Sequence, residues 1–568
     1  MTAVHDLVIR GGTLADGLGS ELRDGDIAVN DGRIVAVGRV DGSGREEVDA
    51  RGRLVTPGFV DIHTHYDGQA TWDERMQPSS LHGVTTAVMG NCGVGFAPVR
   101  ADDRDRLIEL MEGVEDIPGA ALHEGLGWQW ESFPEYLDQL ATNHRDIDVA
   151  AQLPHGALRV YVMGERATRL EAATPQDIAR MRELARDAVR AGAVGFSTSR
   201  SMNHRSIKGD PTPSLKATED ELTGIGLGLA EAGKGVIQII SDMAASQGDE
   251  LGMVFRVARA SGRPVSISLA QSHRKPDDWR RVFARIHDEA QSGTRIAAQV
   301  APRPIGVLFG LLANRSPLHG SDTFMALRDL PPGELVATMR RPEVRARILI
   351  EAEANPMLRV DRKPYDYDRV FPLGSPPDYE PPLERSLEQL ARRAGRGVLE
   401  TAYDLMLEDD GRALLLAPFA NYAHGSLDHC AEQLSHPQAL FGLGDGGAHV
   451  ASICDASFTT TLLAHWGRQR AQGRLPIPLL VNLLTARNAA AVGLSDRGVL
   501  APGMKADLNV IDLDRLAVQV PEVRRDLPAG GRRFLQGATG YDLTVVSGAI
   551  TYRAGEPTGA LPGRLVRA

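Results

Sequence analysis

The sequence predicts an α/β protein: a (β/α)8 barrel of the TIM type, with a small β-sandwich formed by both termini. Three observations predict it. Eight short, almost wholly apolar runs alternate with helical stretches through the middle of the chain, as parallel strands buried on both faces require. Short alternating runs separated by Gly, Asp and Asn occupy both ends. At 568 residues the chain is also too long for one simple core.

In chain order, Asp6–Arg10, Asp26–Val29 and Arg33–Gly38 read as strands, with Asn30, Asp31 and Gly32 at a hairpin bend. The C-terminal segment repeats the style. Ala506–Asp512, Tyr541–Ser547 and Ile550–Arg553 read as strands, with Ser547-Gly548 at a turn. Neither end has strands enough to bury a face alone, so residues 1–56 and 496–568 are expected to share one sandwich. The barrel is expected over residues 57–495, with strands at Val60–His63, Val84–Gly90, Val149–Leu153, Val194–Ser197, Val236–Ile240, Val265–Ala270, Ile296–Val300 and Leu440–Leu443. Between them, Thr174–Ala191 opens with Thr-Pro-Gln-Asp, a helix-start signature, and Thr218–Ala232 reads as another helix. Residues 304–440 are far more than a βα unit needs. They mix proline-rich and helical pieces and read as an insertion over the barrel mouth.

Composition narrows the partners. Lys and Arg number 63 against 74 Asp and Glu, a net charge of -11, which excludes nucleic acid as a main partner but not a local basic pocket for a carboxylate. No run of apolar residues is long enough for a membrane span. The first residues, MTAVHDLVIRGG, carry no basic-then-apolar leader, and Cys92, Cys430 and Cys454 are too few for a disulfide framework. A cytoplasmic protein is expected, its partner a small-molecule amide with a carboxylate, with homo-oligomerisation left open.

Barrel chemistry sits at the C-terminal ends of the strands. His63 and His65 end the first, two residues apart, so that in an extended chain both imidazoles project the same way. Cys92 follows the second strand, and Asp445 follows the eighth, where an apolar run meets a glycine turn. His63, His65, Cys92 and Asp445 make a four-ligand set suited to Zn2+, one ion per chain, with another divalent ion as the alternative. Such an ion polarises a carbonyl and lowers the pKa of water to about 7. Asp445 could then take the proton and pass it to a leaving amine. Cys92 also reads as a small buried hydrophobe, and Asp445 as a turn cap. Arg200, His204, Gln271 and Arg303 lie near the mouth as candidate substrate contacts, each with surface or structural ion pairing as the plainer reading. Arg303, between prolines at a strand end, is the favoured grip for a substrate carboxylate. His449 reads either as a further contact or as structural.

VTPGFVDIHTHYD, GVTTAVMGNCGVGFAPVR, GLGDGGAHV and the tail motifs SDRGVLAPGMKADLNVIDLD and TGALPGRLVRA together resemble the amidohydrolase superfamily, in its D-aminoacylase (N-acyl-D-amino-acid deacylase) branch. The likeness spans nearly the whole chain. It implies a metal-bearing barrel beside a sandwich, hydrolysis of an N-acyl-D-amino acid, metal ligation by His63, His65 and Cys92, and a catalytic role for Asp445. It also implies histidines ending the fifth and sixth strands. Here Ser241 or Asp242 occupies the first place and Leu269 or Gln271 the second, His273 matching only if the strand is lengthened. A single-metal hydrolase is the expectation that follows. A cyclic amide or lactone hydrolase, and a degenerate barrel kept as a binding subunit, are the alternatives.

Overall fold

The computed structural model describes residues 4–243, 248–357 and 365–568. Eight parallel strands form its centre: Phe59–Asp61, Val84–Met89, Asp148–Pro154, Gly195–Arg200, Val236–Ser241, Val265–Ser268, Ile296–Val300 and Ala439–Phe441. They are hydrogen-bonded in sequence order from first to eighth. The ring closes above and below the unpaired seam between the eighth and first strands. Above it, Asp445 N donates to His63 O at 3.1 Å and His65 N to Gly446 O at 2.7 Å. Below it, buried Asn488 donates through Nδ2 to Val60 O and Phe441 O, each at 2.9 Å, one carbonyl from either side. Barrel closure and the placement of the His63–His65 pair against Asp445 are therefore one event.

The helices form where local chemistry directs. Pro175–Ala191 starts at Thr174, whose hydroxyl accepts from Asp177 N while the Asp177 carboxylate accepts from Thr174 N, a reciprocal cap with proline at the first helical position. Glu219–Glu231 starts at Thr218, whose hydroxyl accepts from Glu221 N.

The chain ends build a second unit from one nine-stranded, mostly antiparallel sheet. Leu54–Pro57, from the N-terminal segment, pairs with Leu508–Ile511 from the C-terminal one. Leu7, Ile9, Ile27 and Val29 share one apolar core with Val55, Leu508, Val510, Leu543 and Val545, so both ends fill a common interior. Two of its hairpins bend at Asp31-Gly32 and Ser547-Gly548, all four in left-handed backbone. Beneath the barrel, Arg497 donates to Asp148 at 2.6 Å, and Lys505 bridges Asp148 and Asp507 at 2.9 and 2.7 Å.

The long segment after the seventh strand has its own three-stranded sheet, Ile305–Phe309, Leu415–Ala420 and Phe371–Pro372, and its own core around Phe309, Leu318, Phe324, Met339 and Tyr403. It stands on the loop that follows the eighth strand. Leu308 N donates to Ser452 O at 2.7 Å and Asn314 N to Ala451 O at 3.1 Å. Glu380 latches it to the body, accepting from His465, from Arg470 and from Leu427 N.

Candidate active site and metal centre

The first strand ends in His63 and His65, both fully buried. His63 Nδ1 donates to Gln299 Oε1 at 2.6 Å, and Gln299 Nε2 in turn donates to Ser266 Oγ at 3.0 Å, which fixes the amide's orientation. That bond places the lone pair of His63 on Nε2, which lies 3.4 Å from Cys92 Sγ and 3.2 Å from Asp445 Oδ1. His65 points Nε2 at the same Asp445 oxygen, 3.7 Å away, and Nδ1 at Glu115 Oε1, 3.5 Å away. Donor atoms of His63, His65 and Cys92 all lie within 4.8 Å of one another. Both inner ring nitrogens thus face one small space, and both outer nitrogens face an oxygen acceptor, the arrangement that orients metal-binding histidines.

Electrostatics and strain single out the same space. Burial alone would raise Asp445, but the close approach of His65 and the charges of both histidines hold it well below the usual carboxylate range. Burial would lower His65, yet Glu115 and Asp445 raise it. Burial pushes the Cys92 thiol up to about 12. Two carboxylates aimed at two buried imidazoles favour positive charge between them. Cys92 (φ 53°), Asp445 (φ 47°) and His449 (φ 46°) all adopt left-handed backbone, which costs side-chain-bearing residues energy and concentrates at functional sites.

These residues fit a divalent ion. Both ring nitrogens of His65 and Glu115 Oε1 are buried without a hydrogen-bond partner, a cost that a bound cation would relieve. The donor set of two imidazoles, a thiol and a carboxylate is that of a tetrahedral site.

The expected substrate contacts divide. His204 is half-buried and faces the site: its Nδ1 contacts Ser199 Oγ at 2.9 Å, and burial, then the charges of His449 and His65, hold it at about 3. His449 stands beside it, Nε2 3.6 Å from Glu115 Oε2. The side chains of the other three are engaged by protein partners. Arg200 is buried in a two-pronged pair with Glu250, at 2.6 and 2.8 Å, and also donates to Ala217 O. Gln271 spends its amide on Ala423 N of the inserted segment, from which it accepts, and on Pro276 O in its own loop, to which it donates. Arg303, the favoured carboxylate grip, is fully buried. It donates to Cys454 O and Ser457 Oγ, lies 3.4 Å from Asp455 and has the Tyr379 ring 3.5 Å from its guanidinium. It braces the loop behind Asp445 instead.

The fifth and sixth strands bring no histidine to the centre. Ser241 meets Glu250 at 3.2 Å, Asp242 accepts from Ser201 Oγ and Met202 N, and His273 accepts from Tyr422 N on the insertion. Facing inward are neutral groups: Gln238, which accepts from Cys92 N at 3.0 Å and donates to Ser268 Oγ at 3.2 Å, and the Gln299–Ser266 pair. Sequence reasoning missed Glu115, Gln238 and Gln299. The two glutamines left a signal, since a polar amide in the middle of VIQII or IAAQV is costly unless bonded. Glu115 left none: it ends an ordinary amphipathic helix, Arg104–Glu115.

A barrel with this ligand cluster at its C-terminal rim defines a class, and sequence comparison agrees with it. The chain belongs to the amidohydrolase family, whose model matches residues 46–552. It is a metal-dependent hydrolase of non-peptide C–N bonds. Among its relatives, the D-aminoacylase of Alcaligenes xylosoxydans xylosoxydans is 27% identical over 99% of this chain and 97% of its own length. The N-acyl-D-aspartate deacylase of the same organism is 27% identical over 90% of this chain and 86% of its own. A crystal structure of the N-acyl-D-glutamate deacylase of Bordetella bronchiseptica, complexed with zinc and a phosphonate inhibitor, shares the fold. It has a TM-score of 0.65 and 23% identity, covering 100% of both chains.

Proposed function

We propose that this protein deacylates N-acyl-D-amino acids with a single divalent ion, Zn2+ foremost, held by His63, His65 and Cys92 with Asp445. The observation that carries the reading is the convergence of His63 Nε2, His65 Nε2 and Cys92 Sγ on one buried space capped by Asp445 Oδ1. An ion bound there supplies Lewis-acid polarisation of the amide carbonyl and acidifies water. Asp445, held ionised, accepts the proton of the attacking water and returns it to the nitrogen of the departing amine, so the amide C–N bond breaks as the new C–O bond forms. Glu115 and Gln299 fix the ring orientations of His65 and His63. His204 and His449, side by side near the centre, are the groups positioned to hold the substrate carboxylate once Arg200 and Arg303 are committed elsewhere.

The relatives' names, D-aminoacylase and N-acyl-D-aspartate deacylase, support the substrate class. The neutral Gln238, Ser266 and Ser268 facing the centre from the fifth and sixth strands support one ion rather than two. The test is amine release from paired N-acyl-D- and N-acyl-L-amino acids, with metal counted in the same preparation. Release from the D series that chelator abolishes is expected, at one equivalent of metal per chain. Metal-replete protein that releases no amine, or two equivalents bound, would sink the reading.

A further inference from the structure

An arginine cluster lies outside the active site, where the inserted segment meets the C-terminal hairpin Glu522–Leu527 and Gly531–Leu535. In that hairpin Arg525 pairs directly across from Arg532. Like charges in opposed positions destabilise a hairpin. Both turn to one carboxylate oxygen: Arg532 bonds Asp329 Oδ1, and Arg525 stands 3.6 Å from it. Asp329 is itself exposed, with 71% of its side chain in solvent, and screens them poorly. Arg328 enters from the insertion. Its guanidinium donates to His319 Nε2 at 3.1 Å and to Ala313 O at 3.4 Å, its charge bears on Arg532, and that of Arg525 bears on it. Burial first, then the charges of Arg328, Arg315 and Arg532, hold the half-buried His319 at about 4 and so neutral.

Arg525 and Arg532 therefore share one carboxylate, with the charge of Arg328 beside them, on a chain whose net charge is -11. Such a concentration of like charge costs stability unless a mobile anion neutralises it. Guanidinium forks match tetrahedral and planar oxyanions, and several converging on one place favour an anion with more than one charge. The neighbourhood adds a consequence. Asn314 N, one residue before Arg315, donates to Ala451 O, and Phe534 N, two residues after Arg532, donates to Val450 O. The cluster thus rests against the loop that carries Asp445 and His449.

We propose that Arg328, Arg525 and Arg532 form a binding site for a small multivalent oxyanion, separate from the metal centre, which pins the insertion and the hairpin against that loop. The shared chemistry is a compact dianionic group, from a phosphate or from a dicarboxylate.

Thermal unfolding of the metal-loaded protein tests it, in chloride buffer of fixed ionic strength with and without roughly 10 mM inorganic phosphate, succinate or acetate. A Tm rise of about 2 °C or more with phosphate or succinate, exceeding that with acetate, is expected. Arg525→Gln should lose that rise while melting no lower than wild type in chloride alone, because it removes one of two opposed like charges. Asp329→Asn should shift the phosphate response to lower concentration. No rise in wild type, or an equal rise in Arg525→Gln, would overturn the proposal. None of these readings depends on the substrate assigned above.

Discussion

At Asp445 two demands meet in one side chain. Its Oδ1 lies within 3.7 Å of Nε2 on both His63 and His65, and its left-handed backbone is held by bonds that also close the barrel. Asp445→Asn keeps the shape and loses the charge. We expect turnover to fall about 10²–10⁴-fold while metal content, read by elemental analysis, persists through His63, His65 and Cys92. Glu115→Gln should do the converse. It removes the carboxylate facing His65 Nδ1 and should weaken metal affinity about 10–100-fold, measured by competition with a chelator. Unchanged affinity would reduce Glu115 to a buried helix end. How much of this was legible differs by residue. His63, His65, Cys92 and Asp445 could be read because each follows an apolar run directly. Glu115 could not, because its importance comes from a contact with a residue 50 positions earlier in the chain.

Among the elements, the seam between the first and eighth strands is the place where the barrel depends on one side chain. Asn488 Nδ2 serves two buried carbonyls that lack a neighbouring strand. Asn488→Ala leaves both unpaired, and we expect a loss of about 3 kcal/mol, read as a lower urea midpoint. The same seam positions the His63–His65 pair against Asp445, so metal affinity should fall with stability. A variant as stable as wild type would show that the loop contacts at His65 and Gly446 suffice. The strands themselves were visible in sequence because their apolar runs are local. That a helix asparagine closes the ring was not, since nothing in TARNAAAVG distinguishes it from a surface amide.

For the whole molecule, Glu380 joins the insertion to the barrel. Burial would raise its carboxyl, but hydrogen bonds from His465, Arg470 and Leu427 N hold it at about 2, below an ordinary 4.5. A carboxyl depressed in the folded state stabilises the fold fully above its unfolded pKa, and that stabilisation is lost as pH falls through the folded value. Wild type should therefore lose stability between pH 4.5 and 2 more steeply than Glu380→Gln, with the insertion the first part to open. Urea midpoints across that range, with protease sensitivity of residues 305–420, check both. Parallel slopes would place the acid sensitivity elsewhere. No helix among the described residues is long and apolar enough to cross a membrane.

By itself the sequence determined the alternation of strand and helix, the pairing of both ends in one sheet, and the approximate place of each barrel strand. Those follow from side-chain periodicity and turn chemistry, which act over a few neighbours. Only the tertiary structure decided which polar side chains remain open to a ligand. Arg200, Gln271 and Arg303 stand near the mouth in sequence, yet Glu250, Ala423 and the Cys454–Ser457 turn occupy them. His204 and His449, chemically weaker candidates, are left facing the centre. A long cation takes whichever partner the fold brings near, and burial forces it to take one.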